Sequence, residues 1–95
     1  MYFLEGLQYD PVRQIACVSG KTAHLSTMEG ALFTIFIENP NTVFSREALI
    51  HYLWGSSLNY KTRVIDVYIS QLRKKLNLQN ILKTVYRKGY IFILQ

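Results

Sequence analysis

The stretch that decides the fold is residues 62–76, which reads TRVIDVYISQLRKKL. Apolar residues recur in it at intervals of four, three and four, namely Ile65, Ile69, Leu72 and Leu76. A helix turns by about 100° per residue, so this spacing places all four on one face. The stretch is therefore predicted to be a helix with one side in the core.

The opposite face of this predicted helix carries short polar groups and basic residues. Arg63, Val67, Ser70 and Lys74 fall on it, and Gln71 lies beside them. Polar groups of this kind hydrogen-bond to base edges, and valine can contact a thymine methyl, so the face is typical of a major-groove helix. Taken alone, such a face is more often simply a solvated helix face.

A first helix is predicted to begin after Ser26, because Ser26 and Glu29 have the spacing of a capping box. It is expected to end before Asn39 and Pro40, since proline disfavours helical backbone at the preceding residue. Gly30 lies inside this helix, where it costs about 1 kcal/mol relative to alanine.

A second, shorter helix is predicted from Ser45, a residue type favoured at helix starts, to Gly55, a residue type favoured just after helix ends. Trp54 is expected to pack between helices. A short helix, a loop and then a helix with a polar outer face form the helix-turn-helix arrangement.

Strand-like runs flank the helices. On the N-terminal side, Tyr2–Leu7, Gln14–Val18 and Thr22–Leu25 predict a small antiparallel sheet. On the C-terminal side, Ile81–Tyr86 and Tyr90–Leu94 predict a hairpin with Gly89 where positive φ is needed. The expected fold is an α+β winged helix-turn-helix formed by a single domain, residues 1–95, with an N-terminal sheet (1–25), a three-helix core (26–77) and a wing hairpin (81–95).

The basic residues are concentrated at one end of the chain. The net charge is +5, but eight of the eleven lysines and arginines lie between Lys61 and Lys88 with one acid, Asp66. That segment carries +7 and the remainder −2. Such a gradient favours a polyanionic partner, because neutralising phosphates releases counterions. A membrane surface would satisfy the charge equally well.

Other function classes find little support. Cys17 has no second cysteine to pair with and is expected to be a buried, inert thiol, while His24 and His51 lack zinc-ligand spacing. The acids form no evident catalytic pair and no phosphate-binding glycine loop occurs, so we expect no enzyme, no cofactor and no metal. No run of residues is apolar enough for a membrane span. The scattered tyrosines argue weakly for single-strand stacking.

Short motifs recur in a fixed order from Leu25 to Phe92. They are Leu25-Ser26 with Glu29, Pro40, Ser45-Arg46-Glu47 with Leu49, Trp54-Gly55, Arg63, Asp66-Val67-Tyr68-Ile69-Ser70, Leu72-Arg73-Lys74-Lys75-Leu76, Lys83-Thr84-Val85 and Gly89-Tyr90. With this joint pattern the sequence resembles the OmpR/PhoB-type winged-helix family.

The resemblance implies sequence-specific binding of double-stranded DNA by a bacterial transcription regulator. The implied recognition helix, residues 62–76, would contact the major groove through Arg63, Val67, Ser70, Gln71, Arg73 and Lys74. The implied wing, residues 86–90, would contact the adjacent minor groove or backbone through Arg87 and Lys88. Further backbone contacts are implied for Lys61, Thr62 and Tyr68. The loop that contacts RNA polymerase in activators corresponds to Ser56, Ser57, Leu58, Asn59 and Tyr60, although a plain connector is an equal alternative.

Two departures from the family pattern alter the expected contacts. Gln71 stands where many members carry an arginine that reads guanine, so we expect a preference for adenine or weaker discrimination. Ile91 replaces a frequent wing arginine, which shifts the wing contacts onto Arg87 and Lys88. Asp66 is expected to pair with a nearby arginine, with Arg73 the candidate, or to accept from a cytosine amino group.

The implied partners are promoter DNA with tandem half-sites and a second copy of the chain on that DNA, in the cytoplasm. If Met1 is the native start, no receiver domain precedes the sheet. The layout then resembles ToxR- or CadC-type regulators, in which a linker and a membrane span follow; a naturally short regulator is the other reading. The alternative function is a protein-binding winged helix, which would not need basic side chains to converge on one face.

Overall fold

The computed structural model describes residues 1–4, 6–55 and 63–94. These residues form the elements β1 (Tyr2–Leu4), β2 (Leu7–Asp10), β3 (Ile15–Val18), β4 (Lys21–His24), α1 (Thr27–Glu38), β5 (Val43–Phe44), α2 (Arg46–Trp54), α3 (Arg63–Leu76), β6 (Leu82–Val85) and β7 (Gly89–Phe92). One sheet has the order β1-β2-β3-β4 and the other the order β5-β7-β6, with all neighbours antiparallel. The predicted order of sheet, three helices and hairpin is confirmed.

The N-terminal sheet has one strand more than the sequence predicted. Gly6, with φ of 73°, turns the chain, so the run Tyr2–Leu7 is divided and Leu7–Asp10 pairs back on β1. The single-strand interpretation of that run was wrong because its apolar residues continue across the turn. Leu7 and Tyr9 are buried while Gln8 between them is exposed, so one face of the sheet covers the core.

Both predicted helix starts are confirmed. The backbone N–H of Glu29 donates to Ser26 Oγ at 3.2 Å, and the Ser26 N–H donates to Glu29 Oε1 at 2.8 Å. The backbone N–H of Ala48 donates to Ser45 Oγ at 3.0 Å. Gly55 ends α2 in the left-handed conformation with φ of 79°.

The core lies between the two sheets and the three helices. The predicted seam of α3 is confirmed, because Ile65, Ile69 and Leu72 are fully buried and Leu76 is 1% exposed. Helix α1 contacts α3, α2 and β7. Trp54 is half-buried against this core, as predicted, whereas Cys17 is half-buried rather than buried. The prediction of a buried Cys17 is therefore corrected. Side chains alternate between the two faces of a strand, and the neighbours Ala16 and Val18 occupy the inward face.

The hairpin is held by a strand that the sequence did not reveal. The two-residue strand β5 pairs with β7, with Val43 opposite Ile91 and Phe44 opposite Tyr90. Both hairpin strands are shorter than predicted, and Gly89 belongs to β7. Its φ of 139° confirms the positive value expected, and a Cβ there would collide with the Phe44 carbonyl. Glycine at this position therefore lets β5 approach the hairpin.

Gly30 is explained by the sheet that packs against α1. A Cβ at this position would overlap the hydroxyl of Tyr9, whose ring is 2% exposed and packs edge-on against Phe33 at 5.4 Å. The close approach of sheet and helix thus offsets the helix propensity that alanine would add.

We expect Gly30→Ala to lower the free energy of unfolding by about 1–3 kcal/mol, because overpacking a filled core forces side chains to shift. In a Tyr9→Phe background the same change should cost clearly less, since the colliding hydroxyl is gone. Urea denaturation of the two single variants and the double variant measures the difference. Equal losses in both backgrounds would show that Tyr9 does not dictate the glycine.

Candidate nucleic-acid interface

The outer face of α3 is open to solvent over its whole length. Arg63, Val67, Ser70, Gln71 and Lys74 are all exposed, and Val67 is 52% exposed despite being apolar. Together with Asp66, these side chains line one shallow depression on the protein surface. The geometry predicted for them, one continuous face opposite the core seam, is what α3 presents.

Arg73 does not share this face. Its Nε donates to the Leu82 carbonyl at 2.8 Å and its Nη2 to Thr84 Oγ1 at 3.0 Å. Its guanidinium carbon also lies 5.5 Å from the centre of the Tyr90 ring. The family resemblance implied a major-groove contact for Arg73. In the structure its side chain instead binds the hairpin.

Asp66 pairs with Arg46 of α2, so the expected partner Arg73 was wrong. Asp66 Oδ1 accepts from Arg46 Nε at 2.7 Å and from the Tyr90 hydroxyl. The Arg46 guanidinium carbon lies 5.1 Å from the centre of the Tyr90 ring, whose other guanidinium neighbour is that of Arg73. We name these four residues, Arg46, Asp66, Arg73 and Tyr90, the Tyr90 cluster. It links α2, α3 and the hairpin.

The charge states within the Tyr90 cluster follow from its contacts. Burial by itself would raise the pKa of Asp66, but hydrogen bonds from Tyr90 and Arg46, and the Arg46 charge, outweigh it and hold that pKa below its ordinary value. Burial and the Asp66 hydrogen bond raise the pKa of Tyr90. Asp66 is therefore ionised and its charge is compensated, which limits its repulsion of an anion on this side of α3.

The tip of the hairpin extends past its contact with α3. Thr84 and Tyr90 lie opposite each other in the β6–β7 register, and both contact side chains of α3. At about 3.3 Å per residue, the turn that begins at Tyr86 lies roughly 7 Å farther along the strands. Tyr86, Arg87 and Lys88 are exposed there. The basic tip thus lies farther along the hairpin than the described contacts with α3 at Thr84 and Tyr90.

Lys75 does not belong to the exposed face of α3, because its ammonium group contacts α1 and the end of β4. Its Nζ lies 2.6 Å from Glu29 Oε1 and 3.1 Å from the His24 carbonyl oxygen. Burial would raise the pKa of Glu29, but hydrogen bonds from Lys75 and from the Ser26 backbone hold it below its ordinary value. Among the described residues from 63 onward, the exposed cations are Arg63, Lys74, Lys83, Arg87 and Lys88.

The remaining predicted contacts divide into two groups. Tyr68 is half-buried and packs against the core. The other seven residues fall outside the described ranges, so their roles stay predictions: Ser56, Ser57, Leu58, Asn59, Tyr60, Lys61 and Thr62.

Within residues 1–4, 6–55 and 63–94, histidine, cysteine and acidic side chains form no group able to hold a metal ion. In the same ranges no helix combines the length and apolar character that crossing a bilayer requires.

Sequence comparison places the chain among regulatory proteins. A family model described as "Transcriptional regulatory protein, C terminal" matches residues 20–92, and this is not an enzyme family. The phosphate regulon transcriptional regulatory protein PhoB of Pseudomonas aeruginosa is 32% identical over 89 residues, which cover 92% of this chain and 39% of that protein. PhoB of Escherichia coli K12 is 30% identical over 92 residues, which cover 94% of this chain and 40% of that protein. The chain spans about two fifths of these relatives' length.

Solved structures show the same fold. The DNA-binding domain of RstA from Klebsiella pneumoniae, in complex with the RstA box, is 34% identical with a TM-score of 0.79, covering 98% of this chain and 95% of that one. The DNA-binding domain of CpxR from E. coli is 30% identical with a TM-score of 0.77, covering 97% and 94%. The DNA-binding domain of E. coli CadC is 24% identical with a TM-score of 0.80, covering 95% of this chain and 88% of that one. At this identity the likeness concerns the fold alone. The ToxR- or CadC-type layout therefore stays a prediction.

Proposed function

Because this chain belongs to the family of C-terminal domains of transcriptional regulatory proteins, we propose that it binds double-stranded DNA sequence-specifically. In this proposal α3 lies in the major groove and the hairpin is a wing at the adjacent minor groove or backbone. The observation that carries the proposal is the exposed polar and basic face of α3, together with an exposed basic tip on the hairpin that Arg73 and Asp66 of α3 bind. The RstA domain, which shares this fold at 34% identity, is known in complex with its box.

The side chains of the α3 face divide by chemistry. Gln71 can donate to adenine N7 and accept from adenine N6 at once, and the exposed Val67 methyls suit a thymine methyl. Arg63 and Lys74 supply charge for guanine acceptors or phosphates. Asp66 is already bonded to Arg46 and Tyr90, so of its two expected roles pairing prevails. In this proposal the bases are therefore selected by Arg63, Val67, Gln71 and Lys74.

The Tyr90 cluster would fix the distance between the two DNA-binding elements. Arg73 bonds to β6 while Asp66 bonds to β7, so α3 holds both strands of the hairpin. Contacts ordered before binding spare the complex the entropy of ordering them on DNA. In this proposal Arg73 acts on the wing rather than on a base.

The wider regulatory role follows from the same placement. A single domain covers one half-site, so we propose tandem promoter half-sites occupied by two copies of the chain. A regulator that acts on promoters works where the chromosome is, which in bacteria is the cytoplasm. Residues 56–60 are proposed as the contact for RNA polymerase.

The proposed interface is tested by titrating a duplex, selected by the wild-type chain from random sequences, at several salt concentrations. We expect Arg63→Ala to weaken binding, Lys88→Ala to lower the salt slope by about one, and Gln71→Ala to relax discrimination at one base pair by about 1–3 kcal/mol. Fluorescence anisotropy gives all three quantities.

Arg13→Ala is the matched control, because it removes one cation with a 78% exposed side chain from the turn between β2 and β3. It should leave the salt slope and the base preference unchanged. If Arg63→Ala and Lys88→Ala also left DNA affinity unchanged, the proposed face would be wrong. The protein-binding alternative would then be favoured.

A further inference from the structure

The hairpin tip carries an aromatic side chain that the core does not use. Tyr86 is 78% exposed and directly follows β6. The guanidinium carbon of Arg87 lies 5.1 Å from the centre of the Tyr86 ring, within the cation–π range of about 6 Å. These two neighbours, the Tyr86–Arg87 pair, form a stacked unit at the outermost point of the hairpin.

The backbone of Arg87 is an independent observation. The turn is closed by the Lys88 N–H, which donates to the Val85 carbonyl oxygen at 2.9 Å. Inside it Arg87 has φ of 60°, in the left-handed region. That region favours glycine or asparagine, because a Cβ crowds the following carbonyl oxygen. The conformation of this turn therefore does not account for an arginine at this exposed position.

We infer that the guanidinium of Arg87 enters the DNA minor groove and that Tyr86 is a positioning residue, whose ring orders this guanidinium before DNA binds. This inference rests on the proposed function, and it adds a residue and a groove preference to it. A free arginine side chain loses much rotamer freedom on binding, and stacking on the ring removes part of that loss beforehand. Lys88 is a compact charge better suited to a phosphate.

The chemistry predicts which base pairs the wing prefers. The minor groove is about 6 Å wide, and A·T-rich stretches narrow it further and deepen its negative potential, which attracts arginine. A G·C pair places the guanine N2 amino group in that groove. The wing should therefore favour A·T pairs even though the groove distinguishes little else.

The test uses the selected duplex, with the segment under the wing located by hydroxyl-radical footprinting. That segment is rebuilt with A·T, G·C or inosine·cytosine pairs; inosine lacks the N2 amino group but keeps the major-groove edge of guanine. Wild type, Tyr86→Ala, Tyr86→Phe and Arg87→Ala are titrated against all three duplexes. Urea denaturation of each variant checks folding, which exposed positions should leave unchanged.

We expect wild type to bind the A·T and inosine·cytosine duplexes roughly three- to tenfold more tightly than the G·C duplex. Tyr86→Ala should lose most of this preference and about threefold or more in affinity, as should Arg87→Ala, whereas Tyr86→Phe should keep both, since a phenyl ring also stacks on guanidinium.

The results that would overturn the inference differ from those that would overturn the proposed function. A uniform loss for Tyr86→Ala on all three duplexes, or no loss at all, would refute the positioning of Arg87 in the minor groove. If Lys88→Ala still lowered the salt slope in that case, DNA binding by the wing would stand. If Arg63→Ala and Lys88→Ala were also without effect, the proposed function itself would fail.

Discussion

Lys75→Met is expected to lower the free energy of unfolding by about 2–4 kcal/mol at neutral pH. The substitution leaves the Glu29 carboxylate, 3% exposed, without the ammonium group at 2.6 Å. Removing one partner of a buried ion pair costs about 3–5 kcal/mol, and the cost is smaller here because Lys75 itself is 38% exposed. Methionine keeps most of the side-chain packing, so the loss reports mainly the unpaired charge.

The matched control is the same substitution in a Glu29→Gln background. Glutamine at this position preserves the capping box with Ser26 but has no charge that the loss of Lys75 could leave unpaired. Lys75→Met should then cost about 1 kcal/mol, the typical worth of a lost hydrogen bond to the His24 carbonyl. Comparable losses in both backgrounds would show that the ion pair is not the source of the effect.

The same ion pair fixes a pH dependence. The folded state holds the pKa of Glu29 below its ordinary value, so the carboxylate stabilises the fold at pH values above the ordinary glutamate pKa, about 4.3. That contribution is lost as pH falls through the lowered folded value. The difference in stability between wild type and Lys75→Met should therefore shrink on acidification. Urea denaturation from neutral to acidic pH measures it, and a constant difference would contradict the assignment.

Gly89→Ala is expected to have the second large effect, about 2–4 kcal/mol, because two penalties combine. Its Cβ would collide with the backbone of Phe44, which cannot move without breaking the β5–β7 pairing. Its φ of 139° is also one that alanine rarely adopts. Strand β7 would have to separate from β5, which would shift the hairpin relative to α3.

This second prediction has a measurement for each consequence. Urea denaturation gives the stability, and titration of the selected duplex gives the affinity, which should fall because the wing is displaced. Lys88→Ala, at the adjacent exposed position, should leave the stability within about 0.5 kcal/mol of wild type. A Gly89→Ala variant as stable as wild type would mean that β5 is not tightly constrained by the hairpin.

The features that the sequence predicted well are those set by neighbours along the chain. The seam from Ile65 to Leu76 follows from helical periodicity, and the starts at Ser26 and Ser45 follow from side chains that bond three residues away. Each can be recognised in a short window, because the groups that interact are within a turn of helix of one another.

The features that were missed join distant parts of the chain. Asp66 and its partner Arg46 are 20 residues apart, and Lys75 and Glu29 are 46 apart. The strand Val43–Phe44 is too short to show alternation and is defined by its pairing with β7. The motif Ser45-Arg46-Glu47 did contain a signal, since Ser45 and Glu47 explain the helix start and leave Arg46 unexplained.

In the proposed complex, the Tyr90 cluster also has a consequence for the nucleic acid. A protein whose groove-entering parts are fastened to one another has little freedom to adjust, so the duplex must supply the adjustment by bending or by changing its twist. Flexible pyrimidine–purine steps adapt at lower cost than stiff tracts. We therefore expect operator selectivity to extend to base pairs that no side chain touches.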